Sequence, residues 1–214
     1  MRTIKALACA TAVVAGVATS MAQSNVYSLN VVGYYNVPVA AATYVMVANQ
    51  LNTTNNNLSS LIPQPPPSSY FYKFAGGNWS AYFFDPDDLV WTPDGAATLN
   101  LGEAGMFRAP IATTLTFVGE VQQGTLTNPL LNNGQLMARS SMVPQAGLIT
   151  SVLGYPAEGS DYIYQYGAGN WSAFFFDPDD LIWTPSQPTF AVGEGFMATK
   201  VGPGTAWTRN FTVQ

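Results

Sequence analysis

GNWSAYFFDPDDLVWTP occupies residues 77–93 and GNWSAFFFDPDDLIWTP residues 169–185, and the reading of this repeated string decides the fold. Extended to residues 70–93 and 162–185, the copies share 17 identities in 24 positions. Most exchanges are apolar: Phe71 for Ile163, Phe74 for Tyr166, Tyr82 for Phe174 and Val90 for Ile182. Weaker similarity runs outward. TYVMVANQLN (43–52) falls against GQLMARSSMV (134–143), and LSSLIP (58–63) against ITSVLG (149–154). Downstream, LGEAGMF (101–107) falls against VGEGFM (192–197) with one residue removed. The repeating unit is therefore about 91 residues long, a period that predicts two copies of a small domain rather than a solenoid.

Within each copy the pattern is that of strands. YFYKF and YIYQY place Tyr70, Tyr72 and Phe74, and likewise Tyr162, Tyr164 and Tyr166, on one face. A Gly/Asn turn follows, and WSAYFF or WSAFFF returns to complete an aromatic hairpin. Thr92-Pro93-Asp94-Gly95 signals a turn before a strand around Leu99 to Ala109. Only LSSLI and LITSVL read as helical, each for one or two turns. SLNVVGY (28–34), LTFVGEV (115–121) and FTV (211–213) look alike and are expected to bracket the units, the middle copy closing the first and leading into the second. Fifteen prolines exclude long helices. The expected fold is all-β: two similar small β-sandwich or barrel-like units from an internal duplication. The expected division is a signal peptide at 1–22, unit 1 at 23–121, an extended connection at 122–134 and unit 2 at 135–214.

The leader reading rests on Met1-Arg2-Thr3-Ile4-Lys5, an apolar run from Ala6 to Ala18, and Ser20-Met21-Ala22, a small-x-Ala cleavage pattern. That run is too short for a bilayer span, and no later stretch supplies about 18 apolar residues. The expected location is secreted, extracellular or cell-surface after cleavage near Ala22. Cys9, the sole cysteine, lies in the leader, and histidine is absent, which removes His-based triads and histidine metal ligands. Without Arg2 and Lys5, five basic residues face twelve acidic ones, a net charge of −7 that disfavours nucleic acid. Charged residues are 9% of the chain, against about 25% in ordinary domains. The surface is polar and weakly charged, which suits an extracellular polymer setting.

The leader together with LNVVGYYNV (29–37), LTFVGEVQQGTLTNPL (115–130) and GEGFM (193–197) resembles a group of uncharacterised secreted bacterial repeat proteins. Their units carry a strand ending in asparagine, a Tyr/Trp hairpin, a PGEGFF-like strand and an LTFVGEV-like strand. The resemblance covers nearly all of the mature chain and implies a β-rich cell-surface or extracellular protein, with no catalytic residues to carry over. This chain has LGEAG and VGEG in place of PGEG, and the extra alanine of unit 1 reads as an insertion in that strand.

Three residue sets carry candidate chemistry. Asp85, Asp87 and Asp88, with Asp177, Asp179 and Asp180, put three carboxylates in four residues, the hard oxygen donors of a calcium site. The competing reading is a Pro-stiffened turn whose aspartates accept backbone N–H bonds. Glu103 and Glu194 between small residues offer a glycosidase pair or, alternatively, carboxylates that cap local backbone. Trp79, Trp91, Trp171 and Trp183, with Tyr70, Tyr72, Tyr162 and Tyr164, offer flat platforms for sugar rings or a packed aromatic core. Trp79 and Trp171 are expected in the core, and Trp91 and Trp183, beside their Thr-Pro turns, as the exposed pair. The function expected is a non-catalytic structural or binding protein of the cell surface or matrix, with extracellular glycan or another surface polymer as partner and self-association as a further contact. No cofactor is expected other than calcium. The alternative is a small carbohydrate-active hydrolase using the repeated carboxylates.

Overall fold

Each repeated string supplies the last two strands, at one edge, of a five-stranded antiparallel sheet in the computed structural model, which describes residues 31–213; the leader assigned to 1–22 lies outside them. Unit 1 contributes β1 (Val32–Val39), β2 (Tyr44–Ala48), α1 (Leu58–Leu61), β3 (Tyr70–Ala75), β4 (Asn78–Phe84), β5 (Trp91–Thr92), β6 (Ala104–Arg108) and β7 (Thr113–Glu120). Unit 2 contributes β8 (Gly124–Pro129), β9 (Leu136–Arg139), β10 (Gly147–Leu148), β11 (Tyr162–Gly167), β12 (Asn170–Phe176), β13 (Trp183–Thr184), β14 (Thr189–Phe190), β15 (Phe196–Thr199) and β16 (Ala206–Phe211). The sheet orders are β2-β6-β3-β4-β5 and β9-β15-β11-β12-β13, the same topology twice. The protein is all-β with two similar units.

The hairpins have two-residue loops between the closing pairs Ala75↔Asn78 and Gly167↔Asn170. Both loop residues have positive φ in each case, 57° and 82° at Gly76 and Gly77, 49° and 83° at Ala168 and Gly169. This is the backbone that matches the twist of paired strands.

A two-stranded ribbon completes each unit. β1 pairs with β7 from Val32↔Glu120 to Val39↔Thr113, and β8 pairs with β16 from Gly124↔Phe211 to Pro129↔Ala206. The bracketing strands are thus not shared. β7 closes unit 1, and β8, within the segment read as a connection, opens unit 2. The inner residues of the first ribbon, Tyr35, Val37, Val39, Leu115 and Phe117, pack with Phe71, Phe84, Trp91 and Phe107 of the sheet and with Leu58 and Leu61 of α1. A second core joins Tyr155, Ile163, Trp183, Phe196 and Trp207. Each fully buried aromatic contributes roughly 1.5–3 kcal/mol by leaving water.

Three details of the repeat differ from expectation. Tyr44 pairs with Arg108 while Leu136 pairs with Thr199, and Arg108 and Thr199 in turn pair with the equivalent Tyr70 and Tyr162. Tyr44 therefore corresponds to Leu136, one residue away from the sequence alignment. The extra residue of unit 1 also lies elsewhere. Leu58 N donates to Ala97 O and Ile149 N to Pro188 O, so the length difference falls in the turn after Pro93, and the GE strands run in register. Ala104 stands where Gly195 does, and Gly105 where Phe196 does. The Phe71 ring fills the space above Gly105, whereas unit 2 combines the smaller Ile163 with Phe196, so one ring's volume has moved between neighbouring strands. Finally, α1 has Asn57 as its cap, its Oδ1 accepting from Ser60 N at 2.9 Å. The counterpart of Asn57 is Leu148, which has no side-chain acceptor, and residues 149–153 form turns instead of a helix.

The units meet through a reciprocal exchange. Ala48 N donates to Gly193 O and Ser140 N to Gly102 O, both at 2.9 Å. Val47 bridges to Glu194 and Arg139 to Glu103. The strand leading into β15 thus begins on the edge of β2, and the strand leading into β6 begins on the edge of β9. Met46, Ala48, Ala104, Ala138 and Met197 form a third buried cluster where the sheets cross. Pairing of equivalent residues with one another's counterparts is the signature of a two-fold relation.

Candidate functional site

The strand alternation that buries Phe71 and Ile163 turns Tyr72, Phe74, Tyr164 and Tyr166 to the opposite face of each sheet, where the two units face one another. Trp79 and Trp171 sit on that face near the hairpin tips, paired across the strands with Phe74 and Tyr166. Each tryptophan meets its partner edge to face, with centroids 5.0 Å apart in both units. One side of each indole is held and the other stays in solvent, 41% of Trp79 and 44% of Trp171 being exposed.

Two open clefts lie beside them. One, of about 450 Å³, is lined by Trp79, Leu136, Tyr164, Trp171, Met197 and Thr199. The other, of about 430 Å³, is lined by Tyr44, Tyr72, Trp79, Met106, Tyr166 and Trp171. Tyr44 corresponds to Leu136, Tyr72 to Tyr164 and Met106 to Met197, so one cleft is the other's counterpart, and both tryptophans border both. The result is an aromatic furrow built jointly by the two repeats. Stacked pairs extend it on each side, Tyr70 on Tyr72 at 6.0 Å and Tyr162 on Tyr164 at 5.9 Å.

No carboxylate or ammonium lines either cleft. At the rim, the Arg108 guanidinium lies 5.8 Å from the centroid of the Tyr44 ring. Burial, and then the hydrogen bond with Tyr44, push the Tyr72 hydroxyl up to about 12, so it stays protonated and can both donate and accept. Flat apolar faces with phenolic rims suit an uncharged ligand with apolar ring faces and peripheral hydroxyls.

The tryptophans divide opposite to expectation. Trp91 and Trp183 are only 4% and 6% exposed and pack edge to face on Phe84 and Phe176. The Trp91 indole N–H donates to Ile62 O at 2.9 Å and that of Trp183 to Thr150 Oγ1 at 2.8 Å. Their two-residue strands β5 and β13 turn the side chain under α1 or its counterpart, so neither can serve as a platform. Trp79 and Trp171, expected in the core, are the exposed pair.

The acidic strings form turns. Asp85 Oδ1 accepts from Asp87 N at 2.8 Å and Asp88 N at 3.3 Å, and Asp177 Oδ1 from Asp179 N at 2.8 Å and Asp180 N at 3.2 Å. Among the described residues no group of three or more acidic side chains converges as a metal site. The two glutamates are likewise held locally. Glu103 Oε2 accepts from Asn100 N at 2.8 Å and lies 3.4 Å from Lys73 Nζ. Glu194 Oε2 accepts from Ala191 N, and its Oε1 from Gln165 Nε2, both at 2.8 Å.

Sequence reasoning missed Tyr44, Leu136, Met106 and Met197 as lining residues. Their signal was strand register, which local alternation does not contain. Among the described residues no helix is long and apolar enough to cross a membrane. Compared with known proteins, the chain matches no family model, no curated protein and no solved structure.

Proposed function

We propose that this is an exported, non-catalytic binding protein that holds a neutral polysaccharide in the furrow between its two hairpins, by stacking sugar rings on Trp79 and Trp171. The observation that carries the reading is the exposure of these two indoles on clefts to which both repeats contribute. An aromatic that only filled a core would be covered, as Trp91 and Trp183 are. The uncharged lining favours a neutral glycan over a phosphorylated or acidic one. The carboxylates are committed to their own turns, which supports binding without hydrolysis. The leader-like N-terminus and the low surface charge support an extracellular setting.

The test is retention of the mature chain on a panel of insoluble and soluble neutral polysaccharides, with products assayed for new reducing ends. Trp79→Ala and Trp171→Ala are each expected to change stability by less than about 1 kcal/mol, as exposed substitutions do, while retention falls. Unchanged retention in the double variant would refute the furrow as the site. New reducing ends that vanish in Glu103→Gln or Glu194→Gln would establish the hydrolase instead.

A further inference from the structure

Unit 2 contains a buried charge cluster that unit 1 lacks. Lys200 follows β15, and Asp161 precedes β11. Because Tyr162 pairs with Thr199, Asp161 and Lys200 are the next positions along the same antiparallel pair. Both side chains are fully buried, and Lys200 Nζ lies 3.0 Å from Asp161 Oδ2. The ammonium also lies 2.9 Å from Glu158 Oε2 and donates to Pro156 O at 2.7 Å. Asp161 is held from both sides, its Oδ1 accepting from Val201 N at 3.0 Å and its Oδ2 from Glu158 N at 2.9 Å. The Tyr155 ring covers the amine at 5.7 Å, and its buried hydroxyl has no hydrogen-bond partner among the described residues. Glu158 alone reaches water, with 35% of its side chain exposed. Gly202 and Gly204 let the following loop close over it: a Cβ on Gly202 would overlap Glu158 Oε2, and Gly204 N donates to that oxygen at 3.3 Å.

The fold does not require these charges. In unit 1, Tyr70 pairs with Arg108, so the equivalent positions are Ser69 and Ala109, and both are fully buried. Ser69 N donates to Pro66 O as Asp161 N does to Glu158 O, at 3.1 and 3.0 Å, so the same corner is built with no charge. Burying an ammonium and a carboxylate where a serine and an alanine suffice needs a reason other than folding, since such pairs contribute little net stability.

We propose that Lys200 and Asp161 are joined by an intramolecular amide bond, formed by the folded protein itself with Glu158 as proton carrier. In this buried pocket the ammonium passes one proton across its 3.0 Å contact to the Asp161 carboxylate. The Lys200 Nζ lone pair then attacks Asp161 Cγ. Glu158 takes a proton from the attacking nitrogen and delivers it to the departing hydroxyl. One C–N bond forms, one C–O bond breaks, one water leaves past the exposed side of Glu158, and Glu158 regains its starting state. No oxidant, metal or co-reactant enters. The driving factor is placement, since reacting groups held about 3 Å apart behave as if at very high concentration.

The bond is read by mass spectrometry of the purified mature chain. The intact mass is expected to be lower than the sequence mass by one water. In the denatured protein trypsin should fail to cut after Lys200, and the digest should contain a branched peptide joining the segments of Asp161 and Lys200. Glu158→Gln keeps the pair and is expected to show the full mass and normal cleavage after Lys200; Asp161→Ala, if it folds, should show the same. A wild-type chain of full mass cleaved at Lys200 would overturn the proposal and leave an ordinary ion cluster. A branch mapped to Glu158 would overturn the assignment of Asp161.

Discussion

The contact between Ala104 and Gly195, where the two sheets cross, yields a sharp test. Ala104 and Gly195 are equivalent residues, and they face each other where the sheets cross. A Cβ built on Gly195 would lie closer than 3.0 Å to the Ala104 Cβ, while Met46 Cε and Val47 O, each 3.5 Å away, leave it no free side. Carbon atoms pack at about 3.5–4.0 Å, so Gly195→Ala forces the units apart by roughly half an ångström or more. Overpacking of this kind costs about 1–3 kcal/mol. For a chain of this size that lowers Tm by roughly 2–12 °C. The exchange can be reversed. Ala104→Gly alone loses a methyl group and stiffens nothing, costing about 0.5–1 kcal/mol. Combined with Gly195→Ala, it moves the methyl to the other side of the same contact and should recover most of the loss. Thermal melts of the two single variants and the double variant give the coupling directly. Additive losses, with the double variant the least stable of the three, would refute the facing of these residues and with it the reciprocal interface.

Other outcomes follow from burial and hydrogen bonding. Trp91→Ala and Trp183→Ala should each cost about 3–5 kcal/mol, far more than Trp79→Ala or Trp171→Ala; calorimetry of the four variants checks the ordering. Tyr155→Phe removes a buried hydroxyl that has no partner among the described residues and should stabilise the protein at neutral pH by about 1 kcal/mol in denaturant titrations. Burial, and then Asp161, push the Tyr155 hydroxyl far above its ordinary 10.0. Above pH 10 the unfolded chain ionises at this residue while the folded chain keeps the phenol neutral, which draws the equilibrium toward unfolding, so Tyr155→Phe should also flatten the alkaline decline of stability. Melting curves in millimolar calcium and in EDTA should coincide, because Asp85 and Asp177 already cap their own turns; a site filled to about 100 times Kd would add roughly 2.7 kcal/mol.

The hairpin, its turn and the all-β class were legible because YFYKF, GGN and WSAYFF each carry a local signal. Which face of the hairpin is covered was not. Phe71 meets the β1–β7 ribbon on one side, and Phe74 meets the other unit on the opposite side, so both faces are apolar and a period of two does not rank them. Trp91 is buried by a partner 29 residues away, Ile62, which no window around the acidic string includes. The extra alanine misled for a related reason. The eye aligns GEG with GEA by identity, whereas pairing with β3 tolerates no slip, since a shift of one residue would exchange the two faces of β6. The length difference therefore moved to a turn, where insertion is inexpensive. Asp161 and Lys200 are 39 residues apart, and nothing in either neighbourhood marks them as a pair.

The exchange of strand beginnings between the units means that one edge of each repeat's sheet is covered in part by the other repeat. A single repeat would present the bare edge of β2 or β9, a template for pairing with another copy of itself. Three residues, 121–123, separate β7 from β8 and hold each repeat at its partner's edge, at an effective concentration on the order of millimolar or above. Fusion also removes a constraint on divergence. In a homodimer every residue on the axis must tolerate its own copy, and every buried corner exists twice. In the fused chain alanine can face glycine, and a lysine–aspartate pair can occupy one corner while serine and alanine keep the other silent.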